Sequence, residues 1–223
     1  MDDRDEGNAR RWLNLVEGDK SFVRDQDIYP QLRAWVDQIS PREILEIGCG
    51  QGVCSEKIDL VGRHYTGVEP SALLLARANE LYGAGNRKFE SGSAEILPYP
   101  DASFDAAFSV SVWHLLEDLT QVSKELSRVL KLSGNFLIIT ANPEAYSLWQ
   151  ETYAEIKIQG RLLEGKVSLP DHSTVSELFH LHTFKEIENS LGEAGLLIQQ
   201  RKTFRTSIHD LDYFVFIEGQ KFR

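Results

Sequence analysis

The chain has 223 residues, which is enough for one domain with a full hydrophobic core and short for two independent ones. Hydrophobic residues make up 42% of it and charged residues 26%, and no run of about 18 apolar residues is present, which excludes a membrane-spanning helix. The net charge of −10 disfavours nucleic acid as the main partner, because phosphate backbones attract basic surfaces, although a local basic patch is not excluded.

The N-terminal residues are charged and lack the apolar core of a signal peptide, so we expect a cytoplasmic protein. The two cysteines, Cys49 and Cys54, are too few and wrongly spaced for a disulfide framework or a zinc site. We therefore expect reduced thiols and no bound metal. The sequence does not indicate an oligomeric state.

Short apolar runs alternate with helical patterns through the middle of the chain. The predicted strands are EILEI (43–47), HYTGVE (64–69), FDAAFSVSV (104–112) and GNFLIIT (134–140), and the predicted helices are VCSEKIDLV (53–61), SALLLARANELY (71–82) and DLTQVSKELSRVL (118–130). Such alternation predicts an α/β fold whose mostly parallel sheet is covered by helices on both faces.

The pattern changes near the C-terminus. A helical segment, 184–195, is followed by two strand-like runs, 196–204 and 212–218, whose link is too short for a crossover helix and predicts an antiparallel hairpin. We expect a single domain over 1–223. Two segments outside the alternation, 1–40 and 141–182, carry helical patterns rich in Trp and Tyr and are candidate lids.

A glycine-rich turn carries the strongest functional signal. Gly48, Gly50 and Gly52 directly follow a buried strand and open a helix, where the backbone can approach a ligand closely and free amides favour anionic or polar groups. Glu69 ends the next strand, 17 residues after Gly52, where a carboxylate can accept hydrogen bonds from both ribose hydroxyls. Together these residues predict an adenosine-containing cofactor.

Two such cofactors compete, a nicotinamide dinucleotide and S-adenosylmethionine. The third glycine of a dinucleotide fingerprint would fall at Val53, which argues against the dinucleotide. Acidic Glu46 would also lie badly beside a pyrophosphate but suits the ammonium group of a methionine moiety. We therefore expect S-adenosylmethionine, with S-adenosylhomocysteine as its product.

An ordered set of motifs covers most of the chain: ILEIGCGQG (44–52), GVEPS (67–71), SAEILPYPDASFDAAFSVSVWHLLED (93–118), KELSRVLKLSGNFLIIT (124–140) and LGEAGLLI (191–198). This set resembles the class I S-adenosylmethionine-dependent methyltransferases, in particular their small-molecule branch. The resemblance implies a Rossmann-like, seven-stranded, mostly parallel sheet of order 3-2-1-4-5-7-6, with strand 7 antiparallel.

The resemblance also assigns roles to residues of the cofactor site. In it, the backbone of Glu46, Gly48, Cys49 and Gly50 wraps the methionine part, and Gly52 belongs to the same cofactor-binding loop. Glu69 binds the ribose, Pro70 and the backbone of Ala94 lie near the adenine, and Ser109 and Val110 face the amino-acid end.

Two of the family positions leave alternatives open. Ser93 stands where the family usually has Asp, so the carboxylate contact to the adenine amine is replaced by a hydroxyl, is weakened, or is taken over by Glu95. Arg24 lies in a segment that resembles a lid of some members, where it pairs with the cofactor carboxylate. A solvated surface ion pair is the alternative for Arg24.

Two histidines are candidate catalytic residues, and both have structural alternatives. His114 follows the fourth strand and His182 precedes the last helix, positions from which a base could reach the acceptor, while capping a segment is the commoner role. The absence of an NPPY or DPPY sequence after the fourth strand argues against amine methylation on nucleobases or glutamine. We expect methyl transfer to an O, N or C atom of a small organic acceptor. A tRNA or protein methyltransferase and a non-catalytic cofactor-binding protein are the alternatives.

Overall fold

A computed structural model describes residues 7, 9–10, 12–14, 23–146, 155–168, 174–205 and 212–223. Its elements are a π-helical turn at Arg24–Ile28, α1 (Tyr29–Ile39), β1 (Glu43–Ile47), α2 (Cys54–Lys57), β2 (His64–Glu69), α3 (Ala72–Tyr82), β3 (Arg87–Ser91), β4 (Phe104–Val110), a 3-10 turn at Trp113–Leu115, α4 (Leu119–Val129), β5 (Leu130–Ala141), a 3-10 turn at Pro143–Ala145, β6 (Glu155–Gln159), β7 (Leu162–Ser168), β8 (Thr174–His180), α5 (Phe184–Glu193), β9 (Leu196–Phe204) and β10 (Phe214–Lys221). In the described part of the chain, no helix has the length and apolar character needed to cross a membrane.

The main sheet has seven strands in the order β3-β2-β1-β4-β5-β10-β9. The five strands from β3 to β5 are parallel, and β10 runs antiparallel to both β5 and β9. With β9 and β10 as the sixth and seventh strands of this sheet, the predicted order and the predicted antiparallel hairpin are confirmed.

Helices cover both faces of the sheet. Neighbouring residues of its central strands are therefore buried on opposite sides. Leu45 packs in a cluster with Val122 of α4 and Ile187 of α5. The preceding residue, Ile44, packs in a second cluster that contains Leu32 of α1. The sheet is thus the middle layer of three, and a ligand can reach it at its strand ends.

Side-chain caps fix where three helices begin. Ser71 accepts from the Leu74 amide at the start of α3, and Asp118 accepts from the Gln121 amide at the start of α4. Helix α5 begins with a capping box, in which Thr183 and Glu186 each accept from the other's backbone amide.

Helix α2 is shorter than the predicted 53–61, since it ends at Lys57 and Ile58 is already extended. Asp59 accepts a hydrogen bond from the amide of Val61 at 3.0 Å. This local turn gives the backbone an alternative to the helix and explains the early end.

The helical prediction for 141–182 is wrong where the structure describes that segment beyond Tyr146. Strands β6, β7 and β8 form a separate antiparallel sheet there. Ile156 and Ile158 alternate with polar residues, and Gly160, at φ +61°, makes the tight turn between β6 and β7. Period-two alternation and a glycine turn outweigh the aromatic content that suggested helices.

Candidate functional site

The glycine loop lies between β1 and α2 and packs against two neighbouring parts of the sheet. Gly48, Gly50 and Gly52 have φ values of +70°, +55° and +83°. A Cβ atom at Gly48 would lie 2.5 Å from the Val112 side chain, and one at Gly52 would lie 2.7 Å from the Phe89 ring. Left-handed backbone and close packing both demand glycine here, so the loop presents bare backbone above the strand ends.

Glu69 ends β2 and is buried beside the glycine loop. Its two carboxylate oxygens accept hydrogen bonds from the amides of Gly50 and Ser71, at 3.0 and 2.9 Å. Burial raises the pKa of Glu69, while the two amides favour its ionised form. The carboxylate therefore joins the loop to the start of α3 and lies where the sequence predicted a ribose contact.

Glu46 is a second buried acid, one strand away on β1. It accepts a short hydrogen bond from the Tyr65 hydroxyl, and the Cys54 thiol faces the same carboxyl group. Burial raises the pKa of Glu46 to about 8. Within the described ranges, no Lys or Arg forms an ion pair with Glu46, so the arrangement holds a carboxyl group without a cation.

Arg24 approaches the loop from the N-terminal side. Its guanidinium lies 4.4 Å from the centroid of the Trp12 ring, and Trp12 Nε1 is 3.0 Å from the position a Cβ of Gly50 would take. Burial lowers the pKa of Arg24. Trp12, Arg24 and Glu46 line one small cavity above the loop. The cavity thus has a cation on one wall and an acid on another.

Several buried polar atoms at this end of the sheet have no hydrogen-bond partner among the described residues. They are Nε2 of Gln51, which lines the same cavity, and the hydroxyls of Ser109 and Ser111 at the end of β4. Unpaired buried donors are costly unless a ligand or water satisfies them. Together with the glycine cradle and the opposed charges of Arg24 and Glu46, they fit the zwitterionic end of S-adenosylmethionine.

The other residues predicted to contact the cofactor lie around the same strand ends. Pro70 is exposed directly after Glu69, and Val110 is buried in the wall of the cavity. The loop that contains Ser93, Ala94 and Glu95 is joined to β2 through the Gly92 amide, which donates to the Glu69 carbonyl at 3.4 Å. The structure therefore brings the predicted set to one edge of the sheet, and the individual contacts to a cofactor stay predictions.

His114 is buried between β5 and the small sheet. Its backbone amide and its Nδ1 atom both lie within hydrogen-bonding distance of Thr140 Oγ1, at 3.3 and 3.0 Å, and its ring stacks on Phe179. Burial, together with the nearby His182, lowers the pKa of His114 to about 3. The imidazole is therefore neutral throughout the physiological range.

His182 lies close enough to His114 to influence its charge, and its own hydrogen bond defines its tautomer. Nε2 is 2.6 Å from the carbonyl oxygen of Leu116, so Nε2 donates and Nδ1 keeps its lone pair. Burial lowers the pKa of His182. The two predicted histidines are thus brought together beyond the ends of β4 and β5, and a catalytic role for either stays a prediction.

Four residues of the site were not singled out from the sequence: Trp12, Gln51, Tyr65 and Thr140. Gln51 lies inside the glycine motif, so its position was the available signal. Tyr65 shares a face of β2 with Gly67 and Glu69 by the period of two, but its bond to Glu46 depends on the register of β1 against β2. Trp12 and Thr140 offered no comparable pattern.

Comparison with known proteins identifies the central part of the chain. Residues 45–138 match the family described as Methyltransferase domain. A fatty-acid O-methyltransferase from Mycolicibacterium smegmatis is 28% identical over 151 residues, which cover 66% of this chain and 54% of that protein. A malonyl-[acyl-carrier protein] O-methyltransferase from Legionella pneumophila is 30% identical over 121 residues, covering 52% and 42%. The chain thus spans about half the length of these curated relatives.

A solved structure shares the fold. The S-adenosylmethionine-dependent methyltransferase from Mesorhizobium loti superposes with a TM-score of 0.63 at 20% identity, over 86% of this chain and 96% of that one. At this identity the likeness establishes the architecture alone. Residues 45–138 therefore match a methyltransferase domain, and the sheet order and the shared architecture agree with a class I S-adenosylmethionine-dependent methyltransferase.

Proposed function

We propose that this chain transfers the methyl group of S-adenosylmethionine to a small organic acceptor. The observation that carries the proposal is the cavity above the glycine loop, whose walls hold an uncompensated acid, Glu46, and a guanidinium, Arg24. An amino-acid zwitterion presents the matching ammonium and carboxylate groups. The Glu46 carboxyl group would be unfavourable beside a dinucleotide pyrophosphate in the same place.

Each part of the cofactor has a matching group on the chain. Glu69 would accept hydrogen bonds from the ribose hydroxyls, Glu46 would pair with the ammonium group, and Arg24 would pair with the carboxylate. Gln51 would add its free amide donor to the carboxylate. The loop of Ser93–Glu95 and Pro70 would enclose the adenine.

The bound cofactor supplies an activated methyl group and the sulfonium leaving group. The chain's contribution is to align the acceptor with that methyl group and to exclude water from between them. The small sheet and the turn that contains His114 lie beside the ends of β4 and β5, and buried Phe179 stacks on His114. We propose that these parts form the wall on which the acceptor packs, and that the segment 141–182 selects the acceptor.

A carboxylic acid is the first acceptor class to test. The relatives named above are called a fatty-acid O-methyltransferase and a malonyl-[acyl-carrier protein] O-methyltransferase. A carboxylate is already ionised at neutral pH and needs no base, which suits a site where His114 has a pKa of about 3. The net charge of −10 does not favour tRNA as the acceptor.

The test is transfer of a radiolabelled methyl group from S-adenosylmethionine to a panel of fatty acids, malonyl thioesters, phenols and amines, followed by an extract as a source of other small molecules. We expect label in one class of small molecule and one equivalent of S-adenosylhomocysteine per methyl group. Tight binding of S-adenosylhomocysteine with no labelled product from any source would instead indicate a non-catalytic binding protein. Label found only in RNA or protein would replace the small-molecule acceptor.

A further inference from the structure

Glu46 sits in surroundings that do not favour its charged form. It is 2% exposed, and its hydrogen-bond partners on the described residues are the uncharged side chains of Tyr65 and Cys54. The neighbouring strand β4 places apolar Phe108 directly beside it. A carboxylate in such a place lacks the cation that would normally compensate the cost of burial.

The ionisable groups packed around Glu46 do not supply that cation. From β2 come Tyr65 and Glu69, from the glycine loop and α2 come Cys49 and Cys54, and from α1 and the preceding turn come Tyr29 and Arg24. The guanidinium of Arg24 stacks on Trp12 instead of pairing with Glu46. Glu69, the nearest acid, adds repulsion and raises the pKa of Glu46 further.

The two acids are distinguished by their hydrogen bonds. Glu69 accepts from two backbone amides, which cannot give up their protons and therefore favour the carboxylate. Glu46 has the side-chain hydroxyl of Tyr65 and the thiol of Cys54 as its partners. When only one of two neighbouring buried acids can be ionised, Glu69 is the one that these contacts select.

We infer that Glu46 carries a proton in the free chain and loses it to solvent when the ammonium group of the cofactor binds, and that Tyr65 is the residue that positions the resulting carboxylate. The inference rests on the proposed function, because it needs an ammonium group at Glu46. Cofactor binding then releases one proton at neutral pH and becomes tighter as the pH rises. The Tyr65 hydroxyl keeps its hydrogen bond to Glu46 in both states and favours the charged one.

The experiment is titration calorimetry with S-adenosylhomocysteine at pH 6, 7 and 8, repeated in buffers of different ionisation enthalpy. The dependence of the observed heat on the buffer gives the number of protons released. We expect about one proton at pH 7, an affinity that rises close to tenfold between pH 6 and 7, and a levelling off near pH 8. 5′-Methylthioadenosine, which has no amino-acid part, should bind without proton release and without this pH dependence.

Three variants separate the roles of the side chains. Glu46→Gln cannot release the proton, so its binding of S-adenosylhomocysteine should be weak and flat with pH. Tyr65→Phe should weaken S-adenosylhomocysteine binding roughly tenfold to 100-fold and move the levelling off to higher pH, while methylthioadenosine affinity stays unchanged. Tyr82→Phe, at the far end of α3, is the matched control and should behave as the unmodified chain.

The outcomes are distinct. Binding of S-adenosylhomocysteine without proton release, or with the same release in Glu46→Gln, would overturn the protonation of Glu46. A Tyr65→Phe variant with an unchanged pH profile would overturn the positioning role. If Tyr65→Phe does not fold, the unmodified chain and Glu46→Gln still decide the protonation. Failure of the unmodified chain to bind either nucleoside at any pH would overturn the proposed function, and this inference with it.

Discussion

Glu69 already accepts two backbone hydrogen bonds in the ligand-free chain, one from the glycine loop and one from the start of α3. Replacing it by Ala would remove the proposed ribose contact and also release the Gly50 amide. We expect Glu69→Ala to weaken S-adenosylhomocysteine binding by about 1.5–3 kcal/mol, the usual range for hydrogen bonds to a charged group, as measured by calorimetry.

Ser71→Ala is the matched control for this prediction. It removes the side-chain cap of α3 but leaves the backbone amide that binds Glu69. Stability should fall by roughly 1 kcal/mol in a urea titration, with cofactor affinity unchanged. Equal affinity in Glu69→Ala and the unmodified chain would contradict the ribose role.

The histidine prediction depends on the acceptor. His182 keeps a free Nδ1 lone pair, whereas the pKa of His114 is too low for an efficient base. If the acceptor is a hydroxyl or an acidic carbon, His182→Ala should lower kcat by about 100-fold to 10,000-fold and leave cofactor affinity nearly unchanged. His64→Ala, at an exposed position on β2, is the control. With a carboxylate acceptor, neither His114→Ala nor His182→Ala should cause a loss of this size.

Burial of His114 predicts a pH dependence of stability. Its pKa falls from 6.5 to about 3 on folding, so between these values the unfolded chain binds more protons than the folded one. Stability from this group is complete above pH 6.5 and is lost as the pH falls, with a slope of at most about 1.4 kcal/mol per pH unit. His114→Asn should lack this component in urea titrations between pH 7 and 4. Parallel pH profiles for the two chains would show that His114 titrates normally.

Among the elements, helix α5 offers the clearest test because its start is held by several polar contacts. Thr183 and Glu186 form the capping box, and Arg161 from the turn after β6 pairs with Glu186. Thr183→Ala should cost about 1 kcal/mol of stability at pH 7. The Arg161 and Thr183 contacts lower the pKa of Glu186 to about 2, so this stabilisation is complete above the ordinary Glu pKa and fades toward pH 2.

The corresponding measurement is the difference in unfolding free energy between Thr183→Ala and the unmodified chain at pH 7 and at pH 3. A smaller difference at pH 3 is expected. Thr203→Ala, on edge strand β9, removes a hydroxyl that bonds to Asp212 and serves as the control for an exposed Thr. A difference that grows at low pH would contradict the assignment of the cap to ionised Glu186.

The elements that the sequence predicted well are those in which several signals agree. Helix α3 has an N-cap at Ser71 and an apolar face, and β1 is a buried run that stops at glycine. Strand β3 was not recognised, because RKFES has one buried residue, Phe89, and is otherwise polar. The small sheet lacks such agreement, because its strands stand apart from the alternating core and the Trp and Tyr content of 141–182 indicates helix while the alternation of Ile156 and Ile158 indicates strand.

In the site, too, some features follow from the sequence and others do not. Glycine positions and Glu69 follow from the motif, since a left-handed turn and a strand-end carboxylate are visible in the sequence. The bond between Tyr65 and Glu46 depends on how β1 aligns with β2, and the stacking of Arg24 on Trp12 joins two parts of the N-terminal segment. Contacts that depend on strand register or on the docking of a separate segment are not encoded by local pattern.

On the scale of the whole molecule, the cavity lies between the N-terminal segment and the ends of the central strands. Arg24 belongs to the π-helical turn that precedes α1, and α1 itself is anchored by Leu32 and Val36 against the sheet. The turn is therefore attached at its C-terminal end to a firmly packed helix. Because α1 packs on the core, the candidate lid 1–40 is too long, and we propose that the part preceding α1 acts as a lid whose closing contact is Arg24 on the cofactor carboxylate.

This proposal predicts where hydrogen exchange changes. Residues 29–39 already pack on the core, so saturating S-adenosylhomocysteine should slow exchange mainly at Asp25–Ile28, and β9 at the far edge of the sheet should not respond. 5′-Methylthioadenosine lacks the carboxylate and should give little slowing there, and Arg24→Ala should remove the difference between the two ligands. If both ligands slow exchange equally, or if neither does, Arg24 does not close on the carboxylate and the N-terminal turn has no role as a lid.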